Sequence, residues 1–257
     1  MSQDSLGDRM KGYEQVTRQQ LMRRTPVIVR VDGKAFHTFT RGMNKPFDPV
    51  LMESMWRTAA GMCEEMQGAK VAYVQSDEIS ILLTDYEALD TQGWFDYGLQ
   101  KVASVSASLA TARFNEAFDV LSPFSIHRPV LFDARAFNVP QDDVCNYFLW
   151  RQQDAIRNSI EAVGQANFSH KQLHGVNCDQ IQKKLFEEKG INWSDFSVPC
   201  KRGACAIKIK RTNDAGVLRS KWTVDQDIPV FSQDREYINR FVYPERLAPG
   251  TVLEGKL

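Results

Sequence analysis

The chain has 257 residues, 32 Lys and Arg against 32 Asp and Glu, and a hydrophobic fraction of 43%. This composition is ordinary for a globular protein, and the length allows one large domain or a main domain with an appendage. No apolar run reaches the ~18 residues of a membrane span, and the polar start of the chain is not a secretory signal. The five cysteines lack metal-binding spacing, so we expect reduced thiols in a cytoplasmic protein, and the lack of a long apolar run predicts no membrane partner.

The hydrophobic pattern predicts an α+β fold with the strand and helix order β-α-β-β-α-β. An N-terminal helix is expected over residues 5–23, strands over 25–33, 69–75, 78–84 and 129–140, and helices over 48–66 and 94–118. Asp48 is predicted to cap the first of those two internal helices. This order is typical of a ferredoxin-like domain.

A C-terminal part follows residue 140, and we expect it to pack against the first part. Helices are predicted over 142–165 and 177–190, and the stretches ACAIKIK (204–210) and VLRSKWTV (217–224) predict a hairpin. The turn signal TNDAG at 212–216 lies between these two strands. We therefore divide the chain into a first unit, residues 1–140, and a C-terminal extension, residues 141–257.

The predicted topology brings two acidic segments to one edge of the sheet. Strands one and three would form the central antiparallel pair, so Asp32 at the end of one lies beside Asp77 and Glu78 at the start of the other. Turn formation alone is the alternative explanation for a lone Ser-Asp-Glu. Two carboxylates at one edge instead predict a Mg²⁺ site formed by Asp32, Asp77 and the carbonyl of Gly33. Two such ions would support a phosphoryl transfer.

The loop after the first strand contains candidate phosphate ligands. Gly33 would let a phosphate approach the backbone closely, and Lys34, His37, Arg41 and Lys45 follow it. A histidine packed into the loop is the alternative interpretation of His37.

The C-terminal hairpin is rich in basic residues. Between Lys201 and Lys221 there are seven basic residues and one acidic residue. We expect Lys208 and Lys210 to share one face of a strand and to lie opposite Arg219 and Lys221. Facing cations repel one another unless phosphate or acid neutralises them. RNA phosphate is one such partner, and acidic groups of this chain or of another subunit are the alternative.

Five stretches together resemble the tRNA-His guanylyltransferase family, especially its bacterial and archaeal-type branch. They are VIVRVDGKAFHTFTRG (27–42), NKPFD (44–48), VQSDEIS (74–80), FDARAFNVP (132–140) and YFLWRQQDAIRNS (147–159). The resemblance extends over nearly the whole chain. It implies a polymerase-like palm domain and an enzyme that adds nucleotides to the 5′ end of tRNA in the 3′-to-5′ direction. It also implies two Mg²⁺ ions, GTP and ATP as substrates, and a homotetramer built as a dimer of dimers.

The resemblance also implies site residues. The expected catalytic residues are Asp32, Asp77 and Glu78, and the metal ligands are Asp32, Gly33 and Asp77. Nucleotide contacts are expected at Arg30, Asp32, Gly33, Lys34, Ala35, Phe36, His37, Lys45, Asp48, Ser76, Asp77, Lys101 and Asn158. RNA or phosphate contacts are expected at Arg135, Lys201 and Arg202 and, from the charge of the basic hairpin, at Lys208, Lys210, Arg219 and Lys221. For Glu78 three roles remain open, namely indirect support of a metal, orientation of a Lys or Arg, and a surface ion pair.

Two departures from the family pattern bear on function. The segment IRNSIEA (156–162) retains only Asn158 of a motif that eukaryotic members carry as His-Ile-Asn-Asn-Leu-Tyr-Asn, and Ala204 replaces a Thr common in relatives. The first departure favours template-dependent repair of 5′-truncated tRNA over guanylate addition specific to tRNA-His. A nucleotide cyclase is a further alternative, disfavoured by the basic C-terminal part. A non-catalytic RNA-binding protein is disfavoured by the intact Asp32, Asp77 and Lys45.

Overall fold

The structure is a computed structural model that describes residues 5–122, 129–212 and 218–243. Its strands are β1 (Val27–Gly33), β2 (Ala69–Gln75), β3 (Glu78–Leu83), β4 (Phe132–Asn138), β5 (Ala204–Thr212) and β6 (Leu218–Asp225). Its helices are α1 (Leu6–Gln15), α2 (Phe36–Phe39), α3 (Pro49–Glu65), α4 (Leu99–Leu121), α5 (Val144–Asn167), α6 (His170–Leu173), α7 (Cys178–Lys189), α8 (Val198–Arg202) and α9 (Glu236–Val242). Among the helices in these ranges, none is long and apolar enough to cross a membrane.

The strands form one antiparallel six-stranded sheet in the order β4-β1-β3-β2-β5-β6. β1 and β3 are neighbours from the pair Val27 and Leu83 to the pair Asp32 and Glu78, which confirms the predicted central pairing. The predicted C-terminal hairpin is also present, and it extends the same sheet beyond β2. Residues 213–216 of its turn signal lie outside the described residues.

Helices cover both faces of the sheet. On one face α3 and α4 pack on residues such as Val29, with Met55 and Phe114 in the same apolar cluster. On the other face Ile28 and Phe148 belong to a second cluster, to which α5 and α9 contribute. All six residues of β3 are buried, so its apolar run lacks the polar-apolar alternation of a half-exposed strand.

Local capping signals bound α3 and α7 close to where the sequence predicts. The Asp48 carboxylate accepts hydrogen bonds from the backbone N–H groups of Val50 and Leu51, and Pro49 occupies the first position of α3. α7 follows an Asn177 capping box and ends at Gly190 in the left-handed region. All five cysteines are free thiols, in agreement with their spacing.

Two predicted helices were too long. α1 ends at Gln15, and none of its residues is buried. The chain after it instead forms backbone hydrogen bonds with the segment before α4, from Leu21 N–H to the Tyr97 carbonyl at 2.9 Å. α4 begins at Leu99 because Phe95, Asp96 and Tyr97 have positive φ values, which interrupt a right-handed helix.

Gly203 connects α8 to β5 in a conformation that only glycine adopts easily. Its φ is 79°, and a Cβ there would lie 2.3 Å from the Val74 carbonyl oxygen. Gly203→Ala should lower the free energy of unfolding by more than about 1 kcal/mol, because strain and overlap both act on the folded state.

Urea unfolding measures this loss. The matched control is Gly12→Ala in α1, where no neighbouring atom lies within 4 Å of the added methyl group. Helix propensity predicts unchanged or slightly higher stability for the control. Equal losses in the two variants would contradict the assignment of strain to Gly203.

Candidate active site

The predicted carboxylates meet at the edge of the sheet where β1 ends and β3 begins. Asp32 is the cross-strand partner of Glu78, and the Gly33 N–H donates a hydrogen bond of 3.1 Å to the Asp77 carbonyl. Ser76 and Asp77 form the two-residue connection of the β2–β3 hairpin, with Ser76 at a φ of 49°. Such left-handed residues match the twist of a tight hairpin.

Asp77 is a partly buried acid close to two others. The pKa of its carboxyl is raised, mainly by burial. The nearby charges of Asp32 and Glu78 raise the pKa further, while hydrogen bonds to Ser76 and to the backbone lower it by less. A cation bound at this edge would relieve both effects. Among the described residues, no group of three or more His, Cys, Asp or Glu side chains is placed to hold a metal. An ion here would use two carboxylates with backbone, phosphate and water oxygens, which is typical of Mg²⁺.

Asp32 is neutralised by two predicted contact residues. Arg30 Nε lies 3.2 Å from the Asp32 carboxylate, and an Arg135 guanidinium nitrogen lies 3.1 Å from the same oxygen. Arg135 also contacts Asp133 at 3.0 Å, and this hydrogen bond is the main cause of the raised Arg135 pKa. Two guanidinium groups therefore lie beside the candidate metal ligand, where they could bind phosphate.

Glu78 forms a buried ion pair with Arg151 of α5. Arg151 Nε lies 2.7 Å from Glu78 Oε1, and Nη2 lies 2.6 Å from Oε2, with both side chains 7% exposed. Arg151 Nη1 also donates to Asp154 at 2.7 Å. Of the three roles left open for Glu78, a surface ion pair is therefore wrong, because this carboxylate is buried and orients an arginine.

Arg151 is a residue of this site that sequence reasoning missed. It lies in the otherwise apolar stripe of α5, between Phe148 and Ala155, which are both buried. A charged residue in such a stripe is almost never buried without a partner. That signal predicts a buried acid opposite α5, although the sequence alone does not identify Glu78 as that acid.

Position 33 requires a glycine because the Phe36 ring packs directly against its backbone. A Cβ on Gly33 would lie 2.0 Å from the Phe36 ring, which is buried against Phe39, Phe114 and Phe132. The Phe36 side chain, predicted to contact nucleotide, therefore belongs to the core. The neighbours Lys34, Ala35 and His37 in that segment are exposed, and Ala35 has a φ of 56°.

A cavity of about 150 Å³ brings five further predicted residues together. Its apolar wall includes Phe47, Leu51 and Met55 of the segment that leads into α3 and of α3 itself. The predicted residues that line it are Asp48, Ser76, Asn158, Lys201 and Arg202. Lys45 lies in the same loop, next to Pro46 of the lining. The cavity therefore adjoins the hairpin turn that carries Asp77.

Lys101 lies far from the sheet edge that carries Asp32 and Asp77 of the same chain. Its ammonium group is 4.8 Å from the centre of the Phe95 ring, at the start of α4. Thr111 of the same helix accepts a hydrogen bond from the Phe132 N–H, beside Gly33 in the sheet. Lys101 is about 15 Å from Thr111 along the helix axis. The structure therefore does not bring Lys101 to the carboxylate edge.

The predicted arrangement of the basic hairpin is wrong. Lys208 pairs with Trp222 across the strands, and Lys221 pairs with Ile209. Because cross-strand partners share a face, Lys208 and Lys210 point to one side of the sheet, and Arg219 and Lys221 point to the other. A one-residue difference in register moves a side chain to the opposite face, and the residue pattern alone does not determine the register. All four remain exposed.

Comparison with known proteins agrees with the geometry. A family model described as Thg1, tRNAHis guanylyltransferase, matches residues 7–140. The chain belongs to the tRNA-His guanylyltransferase family. The members of this family are nucleotidyltransferases that act on the 5′ end of tRNA, so the resemblance read from the motifs and the prediction of an enzyme are confirmed.

Solved structures in this family cover most of the chain. Two structures of a bacterial tRNA(His) guanylyltransferase (Thg1)-like protein, in complex with ATP and with GTP, are 51% and 50% identical to it. Both cover 93% of this chain and 100% of their own, with TM-scores of 0.86 and 0.82. The probable tRNA(His) guanylyltransferase of Dictyostelium discoideum is 26% identical over 78% of this chain and 83% of its own length. The α+β class is shared with these family structures.

The Glu78–Arg151 pair should behave as a buried ion pair. Arg151→Met leaves the Glu78 carboxylate buried without its cation, and should cost about 3–5 kcal/mol of unfolding free energy. Adding Glu78→Gln to that variant should recover much of the loss, since no unpaired charge then remains. Urea unfolding of the two single variants and the double variant measures this coupling.

Arg157→Met is the matched control on the same helix. Arg157 pairs with Asp154 but is 62% exposed, so its loss should cost less than about 1 kcal/mol. A loss at Arg151 no larger than that at Arg157 would show that the buried pair does not stabilise the fold.

Asp77→Asn should stabilise the metal-free protein at neutral pH. The pKa of Asp77 in the folded chain is raised, so its ionised form destabilises the fold once the pH exceeds that value. Each unit of this rise corresponds to about 1.4 kcal/mol. Below the ordinary pKa the acid is protonated whether folded or unfolded, and the difference from the variant should disappear.

Unfolding experiments from about pH 3 to about pH 8, with and without Mg²⁺, test this expectation. Mg²⁺ should stabilise the wild type and not the variant, because only the wild type retains both carboxylates. The exposed Asp90, changed to Asn, is the control and should show neither effect. A variant that is less stable than the wild type at pH 8 would refute the account.

Proposed function

We propose that this protein repairs 5′-truncated tRNA by adding nucleotides in the 3′-to-5′ direction, each selected by pairing with the opposite strand. The observation that carries the proposal is the position of Asp32 and Asp77 at one sheet edge, beside the Gly33 backbone. Such an edge suits phosphoryl transfer between two highly charged substrates. The departure at residues 156–162 favours repair over guanylation restricted to tRNA-His.

Asp32, Asp77 and the carbonyl of Gly33 would hold Mg²⁺. When bound, two such ions would neutralise phosphate charge and stabilise the attacking and leaving oxygens. Arg30 and Arg135, which contact Asp32, are placed to bind a phosphate oxygen of the tRNA end or of the nucleotide. This part of the site would therefore align the two reacting phosphates.

The proposed reaction has two steps for a monophosphorylated end. An oxygen of the tRNA 5′-phosphate attacks the α-phosphorus of ATP or GTP, and pyrophosphate leaves. The 3′-hydroxyl of the incoming nucleoside triphosphate then attacks the activated 5′-phosphorus, loses its proton, and releases the nucleoside monophosphate of the activator. A 5′-triphosphate end needs no activation and releases pyrophosphate directly.

Glu78 is proposed to position the site rather than to bind metal. Both of its carboxylate oxygens accept hydrogen bonds from Arg151, which ties the first residue of β3 to α5. Because Asp77 directly precedes Glu78, this ion pair would fix the turn that presents the Asp77 carboxylate. The alternative, a direct catalytic role for Glu78, would require that pair to open.

The remaining predicted residues form the proposed substrate surfaces. The exposed segment Lys34–His37 and Lys45 would bind triphosphates, and the cavity lined by Asp48, Ser76 and Asn158 would receive a nucleobase. RNA phosphates would contact the basic residues Lys201, Arg202, Lys208, Lys210, Arg219 and Lys221. Because the last four lie on both faces of the hairpin, we propose that only one pair faces a given tRNA.

The division of the chain into two parts is also part of this proposal. We propose that residues 1–140, whose strands lie in the order β4-β1-β3-β2, form a ferredoxin-like, polymerase-type palm. Residues 141–257 would form the extension that packs on it. The homotetramer and the cytoplasmic location remain predictions.

The test is nucleotide incorporation into tRNAs that lack the first residue, with the opposite base varied through all four. The complementary nucleotide should be added each time, because pairing geometry then selects it, and addition should stop at a paired end. Preference for GTP whatever the opposite base would instead support guanylation of tRNA-His. Formation of a cyclic nucleotide without tRNA would support the cyclase alternative.

Asp77→Ala is the catalytic control in that assay. It should lower incorporation by about 10²-fold or more, as loss of an electrostatic clamp usually does. Asp90→Ala removes an exposed acid from a loop away from the site and should leave incorporation unchanged. Incorporation near the wild-type rate by Asp77→Ala would refute the metal assignment.

A further inference from the structure

Trp150 of α5 is exposed although its neighbours in the chain hold it in place. Trp150 is 47% exposed, whereas Tyr147 and Arg151 on the same helix are buried. The Arg151 guanidinium carbon lies 4.4 Å from the centre of the Trp150 ring, and the Tyr147 ring centre lies 6.0 Å away at an interplanar angle of 66°. The indole is therefore fixed while much of its surface remains open.

The contacts of these neighbours place Trp150 beside the carboxylate edge. Arg151 binds Glu78, the residue after Asp77. The Tyr147 ring packs against Phe137 of β4 at 5.8 Å, and its hydroxyl lies 2.9 Å from the Ser80 hydroxyl. Trp150 therefore lies near β4, which is the edge strand of the sheet in the described part of the chain.

A phosphate-binding group lies on the same face of β4. Arg135 is two residues before Phe137, so both side chains point towards α5. Arg135 also contacts Asp32 at 3.1 Å. An open aromatic face and a guanidinium beside the reacting edge are the two groups that a nucleotide would use, one for its base and one for its phosphate.

We propose that Trp150 stacks on a nucleobase of the reacting substrates. The Arg151 guanidinium covers one face of the indole, so the opposite face is available to a base. A single exposed apolar side chain is common on protein surfaces, but this one contacts Arg151 and Tyr147, which pack on the face of the sheet that carries Arg135 and Glu78. The base belongs either to the acceptor end of the tRNA or to the incoming nucleotide. This inference rests on the proposed function, which supplies both.

Stacking on Trp150 would serve a template-dependent reaction. Stacking tolerates any base because every base has an aromatic face. It would hold the reacting base in plane without reading its edge, so selection would remain with the opposite strand. The same residue would therefore raise affinity for all four nucleotides or tRNA ends to a similar extent.

The experiment measures binding separately from turnover. The variants are Trp150→Leu, which removes the aromatic face, and Trp150→Phe, which keeps one. Phe186→Leu on α7 is the matched control, because Phe186 is also exposed, at 64%. Affinity for 5′-truncated tRNA is measured without nucleotide, and affinity for ATP and GTP is measured with Mg²⁺ but without tRNA.

Trp150→Leu should weaken one of these affinities by roughly 5- to 100-fold, Trp150→Phe should weaken it much less, and Phe186→Leu should leave it unchanged. Loss in the tRNA measurement assigns the stacked base to the acceptor end, and loss in the nucleotide measurement assigns it to the incoming nucleotide. Either result supports stacking. Unchanged affinities, or equal losses for Leu and Phe, would overturn it.

Two further controls keep these outcomes interpretable. Thermal unfolding verifies that each variant is folded, and Trp150→Met replaces Trp150→Leu if the latter fails to fold. A wild type that binds truncated tRNA but adds no nucleotide would refute the proposed function. The binding comparison at Trp150 would still decide the stacking proposal.

Discussion

The antiparallel pairing of β1 with β3 is the constraint on which the site depends. It places Asp32 opposite Glu78 and brings Asp77 beside both, so three carboxylates share one edge of the sheet. Such a concentration of acid destabilises a fold unless cations neutralise it. Arg151 neutralises Glu78, and Arg135 contacts Asp32, while the described residues give Asp77 no ion pair. Asp77 is therefore the carboxylate best placed to take up a bound cation.

The buried Glu78–Arg151 pair makes the C-terminal part of the chain a component of the site. A buried ion pair contributes little net stability compared with apolar residues, but breaking it is costly. It therefore fixes the position of α5 against β3, and α5 also carries Asn158 into the cavity. The candidate catalytic edge and the cavity beside it thus combine residues from both parts of the sequence.

Local sequence patterns predicted the strands and helices well, whereas some features that depend on long-range contacts were not predicted. The strand order and the Asp48 cap follow from apolar periodicity and capping chemistry, which operate within a few residues. The β1–β3 pairing followed from topology, so Asp32 and Asp77 could be placed together. The faces of the β5–β6 hairpin depended on register, and the packing of Phe36 over Gly33 depended on a contact that no local pattern encodes. Those two features were therefore not predictable.

The hydrogen bonds already made by the polar side chains that line the cavity limit how a base could be selected there. Asp48 accepts backbone hydrogen bonds from Asn44, Val50 and Leu51, and Arg202 Nε donates to the Ile228 carbonyl. Selection by a protein site requires free polar groups that a wrong base would leave unpaired. Asp48 and Arg202 are thus engaged by the fold itself, so these two groups of the lining offer little power to distinguish base edges. In the proposed repair reaction a template strand would supply that discrimination through pairing.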